Sequence, residues 1–109
     1  SDNDKPTIKP LNFKNGDWIS KKKYLKLEIN DLTSGIKKYD GNINGKWILL
    51  EYDPKKKLII YDLEDLRYDS YKLNLTVNVE DFANNKSIYK AQIYRDTGVL
   101  EKDLSTSTK

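Results

Sequence analysis

Several sets of side chains in this sequence could do chemistry. Asp31, Asp53, Asp81, Asn84 and Asn85 offer hard oxygen ligands of the kind Ca2+ takes. Their spacing matches no continuous calcium loop. Asp and Asn also populate turns for local reasons, by bonding their own backbone and tolerating left-handed φ, and that is the stronger explanation. A second set is aromatic, with eight Tyr and two Trp. Most of these rings must fill a core, and Trp47 is expected in the interior. Trp18, Tyr39, Tyr52, Tyr61 and Tyr94 are expected at the surface, where they could stack on sugars or on a partner. A third set is the carboxylates Asp62, Glu64, Asp65 and Asp69, crowded into one segment. A glycosidase needs two carboxylates across a cleft, which a small all-β domain rarely owns, so a solvated acidic loop is the expectation. Lysines make the last set, at Lys21 to Lys23 and Lys55 to Lys57. They could meet anionic polymers, but lysines that protect sheet edges from aggregation explain them better.

Residue types that are missing narrow the choice further. There is no His and no Cys, so a catalytic triad, a thiol nucleophile or a protein-built zinc site is very hard to assemble. The expectation is a non-enzyme without a cofactor, with calcium the one ion left open. The formal charge of +3 comes almost entirely from Lys, and Arg occurs only at Arg67 and Arg95, which disfavours a nucleic-acid surface. No apolar run is long enough to span a bilayer. The blunt start at Ser1 suggests a piece of a longer chain, and a monomer is the expected state.

The elements that must position these groups are strands. From Tyr71 to Val79, apolar residues alternate strictly with Lys72, Asn74, Thr76 and Asn78, a period of two with one dry and one wet face. Tyr24 to Asn30 and Ser87 to Arg95 repeat the pattern. Asn44-Gly45 predicts a two-residue hairpin turn, since both residues accept the positive φ of a type I′ turn. It joins Ile36 to Ile43 with a return strand, Lys46 to Tyr52. That strand is apolar on both faces at Trp47, Ile48, Leu49 and Leu50, so it is either covered on both sides or presents a patch. Leu58 to Asp62 adds a short strand. With no helical period anywhere, the pattern predicts an antiparallel, immunoglobulin-like β-sandwich of about seven strands. Residues 1–10 read as a tether or edge segment, 11–96 as the sandwich and 97–109 as a fraying tail. Up-and-down strand order puts the Asp31, Asp53 and Asp81 loops at one end and the Asn44-Gly45 turn with the acidic segment at the other.

The run from Asn15 to Arg95 resembles the β-sandwich domain that follows the catalytic domain in exported zinc metallopeptidases of the lysostaphin and LytM type from Bacteroidetes-like bacteria. The residues that carry the resemblance are Asp31-Leu32-Thr33-Ser34-Gly35-Ile36-Lys37, the block from Ile43 to Asp53 (INGKWILLEYD), and Val77 to Asn85 (VNVEDFANN). In the last of these the family usually has Gly before the final Asn, where this chain has Asn84, a residue that also accepts left-handed φ. The resemblance implies a non-catalytic partner domain, exported to the cell envelope. It would brace the catalytic domain of the same chain or hold it near peptidoglycan. None of the family's metal or catalytic residues can be carried over, because this chain has no His. The alternative is a carbohydrate-binding module that uses exposed aromatics.

Overall fold

A computed structural model describes residues 4–31, 34–66 and 70–96. Eight strands form: β1 Thr7–Pro10, β2 Tyr24–Asn30, β3 Ile36–Ile43, β4 Lys46–Ile48, β5 Glu51–Asp53, β6 Leu58–Asp62, β7 Lys72–Asp81 and β8 Lys86–Tyr94. They make two four-stranded antiparallel sheets, ordered β1-β2-β6-β5 and β4-β3-β7-β8. The predicted all-β sandwich is thus observed, with one strand more than expected.

The period of two in the sequence becomes the interior. Leu25, Leu27 and Ile29 of β2, Ile59 and Tyr61 of β6, Leu73, Leu75, Val77 and Val79 of β7 and Ala91 and Ile93 of β8 are all buried. Each large aliphatic side chain taken out of water in this way stabilises the fold by roughly 1.5–3 kcal/mol. The longest ladder, from Lys72↔Tyr94 to Glu80↔Lys86, keeps β7 and β8 in register, so their apolar residues face inward together.

The Asn44-Gly45 turn has φ of 52° and 82°, the left-handed pair that a type I′ turn requires. The Asn44 amide also ties the turn to the start of β7. Its Nδ2 donates to the Lys72 carbonyl at 3.2 Å, and its Oδ1 accepts from the Asn74 N–H at 2.8 Å.

After that turn the chain departs from expectation. The return segment is not one strand but two, because it leaves the second sheet after Ile48 and enters the first at Glu51. Ile48 and Leu50 both point into the core, on either side of this crossing. Leu50 fits because Gly41 lies beneath it: a Cβ on Gly41 would stand 2.9 Å from Leu50 Cδ1 and 3.2 Å from the Thr76 carbonyl oxygen. Trp47, expected in the interior, is 68% exposed. The hairpin register pairs it with Asn42, so it shares the outward face of the second sheet.

The N-terminal segment extends the first sheet and then covers the C-terminal end of β8 in the second. β1 pairs with β2 through Thr7↔Asn30 to Pro10↔Leu27. Residues 15–19 then run parallel to β8 as a strap. Gly16 N–H donates to the Gln92 carbonyl at 2.7 Å, Ile19 N–H to the Tyr94 carbonyl at 2.7 Å, and Tyr94 N–H to the Asp17 carbonyl at 2.9 Å. A sheet edge left open would invite pairing with other chains, and the strap occupies it. The predicted tail at 97–109 lies outside the described residues.

Candidate functional site

The three loops with Asp31, Asp53 and Asp81 do share one end of the sandwich. Ile36 pairs with Asp81, and Ile29 N–H donates to the Lys57 carbonyl at 2.8 Å. Their oxygens are turned to the backbone. Asp81 has no exposed surface, and its carboxylate accepts from the Asn85 N–H at 2.8 Å and from Asn85 Nδ2 at 3.1 Å. Burial alone would raise its pKa. Hydrogen bonds from the Asn85 backbone and amide, with a further one from the Ala83 backbone, outweigh burial and hold the carboxyl below its usual value.

Asp31 pins the neighbouring loop in the same manner. Its Oδ2 accepts from the Ser34 N–H at 2.8 Å, the Ser34 hydroxyl at 3.2 Å and the Gly35 N–H at 2.7 Å. The Gly35 carbonyl then accepts from the Phe82 N–H at 3.1 Å, which stitches the two loops together. Asp31 Oδ1 is the one buried side-chain oxygen without a hydrogen-bond donor among the described residues. Asp53 caps its own turn, accepting from the Lys55 and Lys56 N–H groups at 3.0 and 3.2 Å. Asn84 sits at φ 67°, the left-handed conformation anticipated for it, and accepts from Lys37 Nζ at 3.2 Å. Among the described residues no three Asp, Glu, His or Cys side chains converge on a point where a metal could sit. Of the calcium candidates, Asp31, Asp81 and Asn85 are brought together, while Asp53 serves its own turn and Asn84 meets Lys37 of β3.

The acidic segment shows equally local chemistry. Asp62 caps a single 3-10 turn, Leu63–Asp65, by accepting from the Glu64 N–H at 2.9 Å. Asp69 lies outside the described residues.

The aromatic candidates divide. Tyr61, expected at the surface, is 2% exposed, because its pairing with Leu25 turns it into the core. Tyr39 and Tyr52 meet across the sheets, ring centroids 5.4 Å apart, and Tyr52 is half-buried. Its phenol pKa is raised by burial first, then by the charges of Asp31 and Asp53.

Trp18 and Tyr94 instead join Tyr71 in an exposed cluster. Trp18 lies 6.2 Å from Tyr71 with planes 6° apart and 5.3 Å from Tyr94 at 27°, while Tyr71 and Tyr94 are 6.2 Å apart at 23°. In a column of rings spaced about 3.5 Å apart, the outer two would be about 7 Å from each other, so these near-parallel rings form a tiled step and not a column. Trp18 remains 55% exposed and Tyr71 49%. An open hollow of about 520 Å³ adjoins Trp18, bounded by Ser20, Lys21, Lys22 and Asp96.

Tyr71 escaped the sequence reading because it continues the apolar alternation of β7. The strand begins only at Lys72, and Tyr71 stands beyond the end of the core, held by the Arg95 N–H donating to its carbonyl at 2.9 Å. The outward Trp47 did have a signal, since a two-residue turn at Asn44-Gly45 fixes Asn42 opposite Trp47.

No family model matches the chain, and no curated protein does. Among solved structures it is similar to an endo-beta-1,4-mannanase from Thermotoga petrophila, with TM-score 0.59 and 11% identity over 84% of this chain and 20% of that one. Fibronectin(III)-like modules of CbhA from Clostridium thermocellum match with TM-score 0.60 and 16% identity, over 89% of this chain and 50% of that one. CopC from Methylosinus trichosporium OB3b matches with TM-score 0.57 and 12% identity, over 83% of this chain and 94% of that one. The chain therefore spans about a fifth of the mannanase chain and half of the CbhA chain. Among the described residues no helix is long and apolar enough to cross a membrane. At these identities the likeness is one of fold, and the fold is an all-β sandwich of two antiparallel sheets.

Proposed function

We propose that this domain is a non-catalytic accessory module of an exported peptidoglycan metallopeptidase, acting by surface contact to brace the catalytic domain or hold it at the cell wall. The observation that carries the reading is the use made of the three resembling blocks. Asp31 to Lys37 and Val77 to Asn85 are stitched at one end through Gly35 and Phe82, and Ile43 to Asp53 crosses from one sheet to the other. They specify a rigid scaffold, with its carboxylates bonded to loop backbone and its exposed aromatics left for contact. A sandwich of this kind inside a longer chain named as an endo-beta-1,4-mannanase supports a modular role beside a larger enzyme.

The test is a pull-down of the purified domain on peptidoglycan sacculi, alongside titration with a separately purified LytM-type catalytic domain. Retention on sacculi indicates wall targeting, and binding to the catalytic domain indicates bracing. If neither binds, the proposal fails.

A second reading, a carbohydrate-binding module, is favoured by the Trp18, Tyr71 and Tyr94 step. Binding on a glycan array that disappears in Trp18→Ala supports it, and silence across the array removes it.

A further inference from the structure

The corner around Trp18 combines two recognition chemistries. The first is the aromatic step, whose two outer members keep about half of their surface in contact with water. Trp, Tyr and Phe rings carry negative charge on their faces, and the C–H groups of a pyranose present the complementary positive edge. The second is cationic. Lys21 and the half-buried Lys22 line the hollow beside Trp18, and neither takes part in an ion pair among the described residues. Asp96 is the one carboxylate in the lining, so the wall carries a net positive charge, and the Ser20 hydroxyl there accepts from the Asp96 N–H at 2.9 Å.

Hollow and step are held by main chain. Trp18 is carried by the strap bonded to β8, and Tyr71 by its carbonyl's bond from Arg95. The platform therefore exists before any ligand arrives, which lowers the ordering cost of binding. A neutral glycan would use the rings and ignore the lysines, whereas a simple polyanion would do the reverse. Arg95, the side chain best suited to phosphate in this neighbourhood, is occupied by the Leu63 carbonyl at 2.9 Å.

Resting on the glycan-contact reading above, we propose that this corner is a binding site for acidic saccharides, with a sugar ring stacked on Trp18 and Tyr71 and its anionic group met by Lys21 and Lys22.

Isothermal titration of the domain with a hexameric oligogalacturonate, a neutral mannohexaose, a sugar-free polyphosphate and a dT hexanucleotide tests this. The expected result is binding of the oligogalacturonate at least tenfold tighter than of the other three. Trp18→Ala and Tyr71→Ala should each weaken it about tenfold, as for an aromatic anchor at the centre of an interface. The double variant Lys21→Gln/Lys22→Gln should weaken it about threefold to tenfold and flatten its salt dependence. Asp96→Asn, which removes the opposing charge, should tighten it about twofold or more. Trp47→Ala, an exposed Trp on β4 at the opposite edge of the second sheet, should leave it unchanged, and circular dichroism checks that each variant is folded.

Equal binding of neutral and acidic hexamers, lost in Trp18→Ala, would overturn the acidic preference while leaving a glycan site. Polyphosphate binding that survives Trp18→Ala, or a preference for the oligonucleotide, would overturn the proposal in favour of plain charge or base stacking. Absence of binding to every probe would overturn the site altogether.

Discussion

The two ends of the sandwich treat their chemically able side chains in opposite ways. At one end, Asp31, Asp81 and Asn85 look from the sequence like ion ligands, yet the Asp31 and Asp81 carboxylates accept from the backbone of their own loops and Asn85 donates to Asp81. At the other, Trp18 and Tyr71 sit at the limit of the core with half their surface exposed. Polar residues that end buried strands are taken up by backbone donors, because an unsatisfied buried N–H is costly. Aromatic rings on strap and loop residues have no such claim on them. Contact chemistry is therefore concentrated at the corner where aromatic side chains stay exposed while their main chain is bonded to the sheet.

Asp81→Ala should produce the largest loss at the first end. It takes the acceptor from the Asn85 N–H and one of the acceptors from its side-chain amide, and the thermal midpoint should fall by on the order of 10 °C, read by circular dichroism. If it leaves the midpoint within a degree or two, the contrast between the ends is lost.

Gly41→Ala should cost about 1–3 kcal/mol in urea denaturation, since its methyl group would meet Leu50 and the Thr76 backbone oxygen. This tests whether the sheet switch depends on that gap.

Acid sharpens the comparison further. The folded Asp81 carboxyl holds its proton less tightly than in the unfolded chain. Its contribution is therefore complete above about pH 4 and is lost as pH falls through the folded value. Urea midpoints measured from pH 6 to pH 2 should drop, with a shallower slope in Asp81→Asn.

Trp18→Ala, at the opposite corner, should cost about 1 kcal/mol in urea denaturation, because it removes two ring contacts while the backbone bonds of the strap persist. Smallest of all, Asn84→Gly should be neutral or stabilising by a few tenths of a kcal/mol, because the position already holds φ 67°.

Much of the fold was legible in the sequence. Leu25, Leu27 and Ile29 and the run from Leu73 to Val79 show their inward face by alternation alone, and Asn44-Gly45 announces its hairpin by left-handed φ. Such signals are local, written within one strand or one turn. The switch of sheets at Leu49 and Leu50 was not legible, because it depends on a gap over Gly41 in a different strand. Nor was the parallel strap on β8, whose partners lie more than seventy residues apart, as Asn15 and Gln92 do. Tyr61 was misread for the same reason, its direction being set by a partner in β2. At the candidate site, the aromatic types were readable but their convergence was not. Trp18, Tyr71 and Tyr94 come from three separate segments, and only the closed sandwich brings them side by side.

The strap has a mechanical consequence. Because residues 15–19 lie parallel to β8, tension applied between the segment before the strap and the exit of β8 would slide the two past each other. The bonds at Gly16, Ile19 and Tyr94 would then be strained together rather than peeled open one after another. A domain pulled at these two points would resist as a clasp does, yielding at one threshold force instead of unravelling gradually.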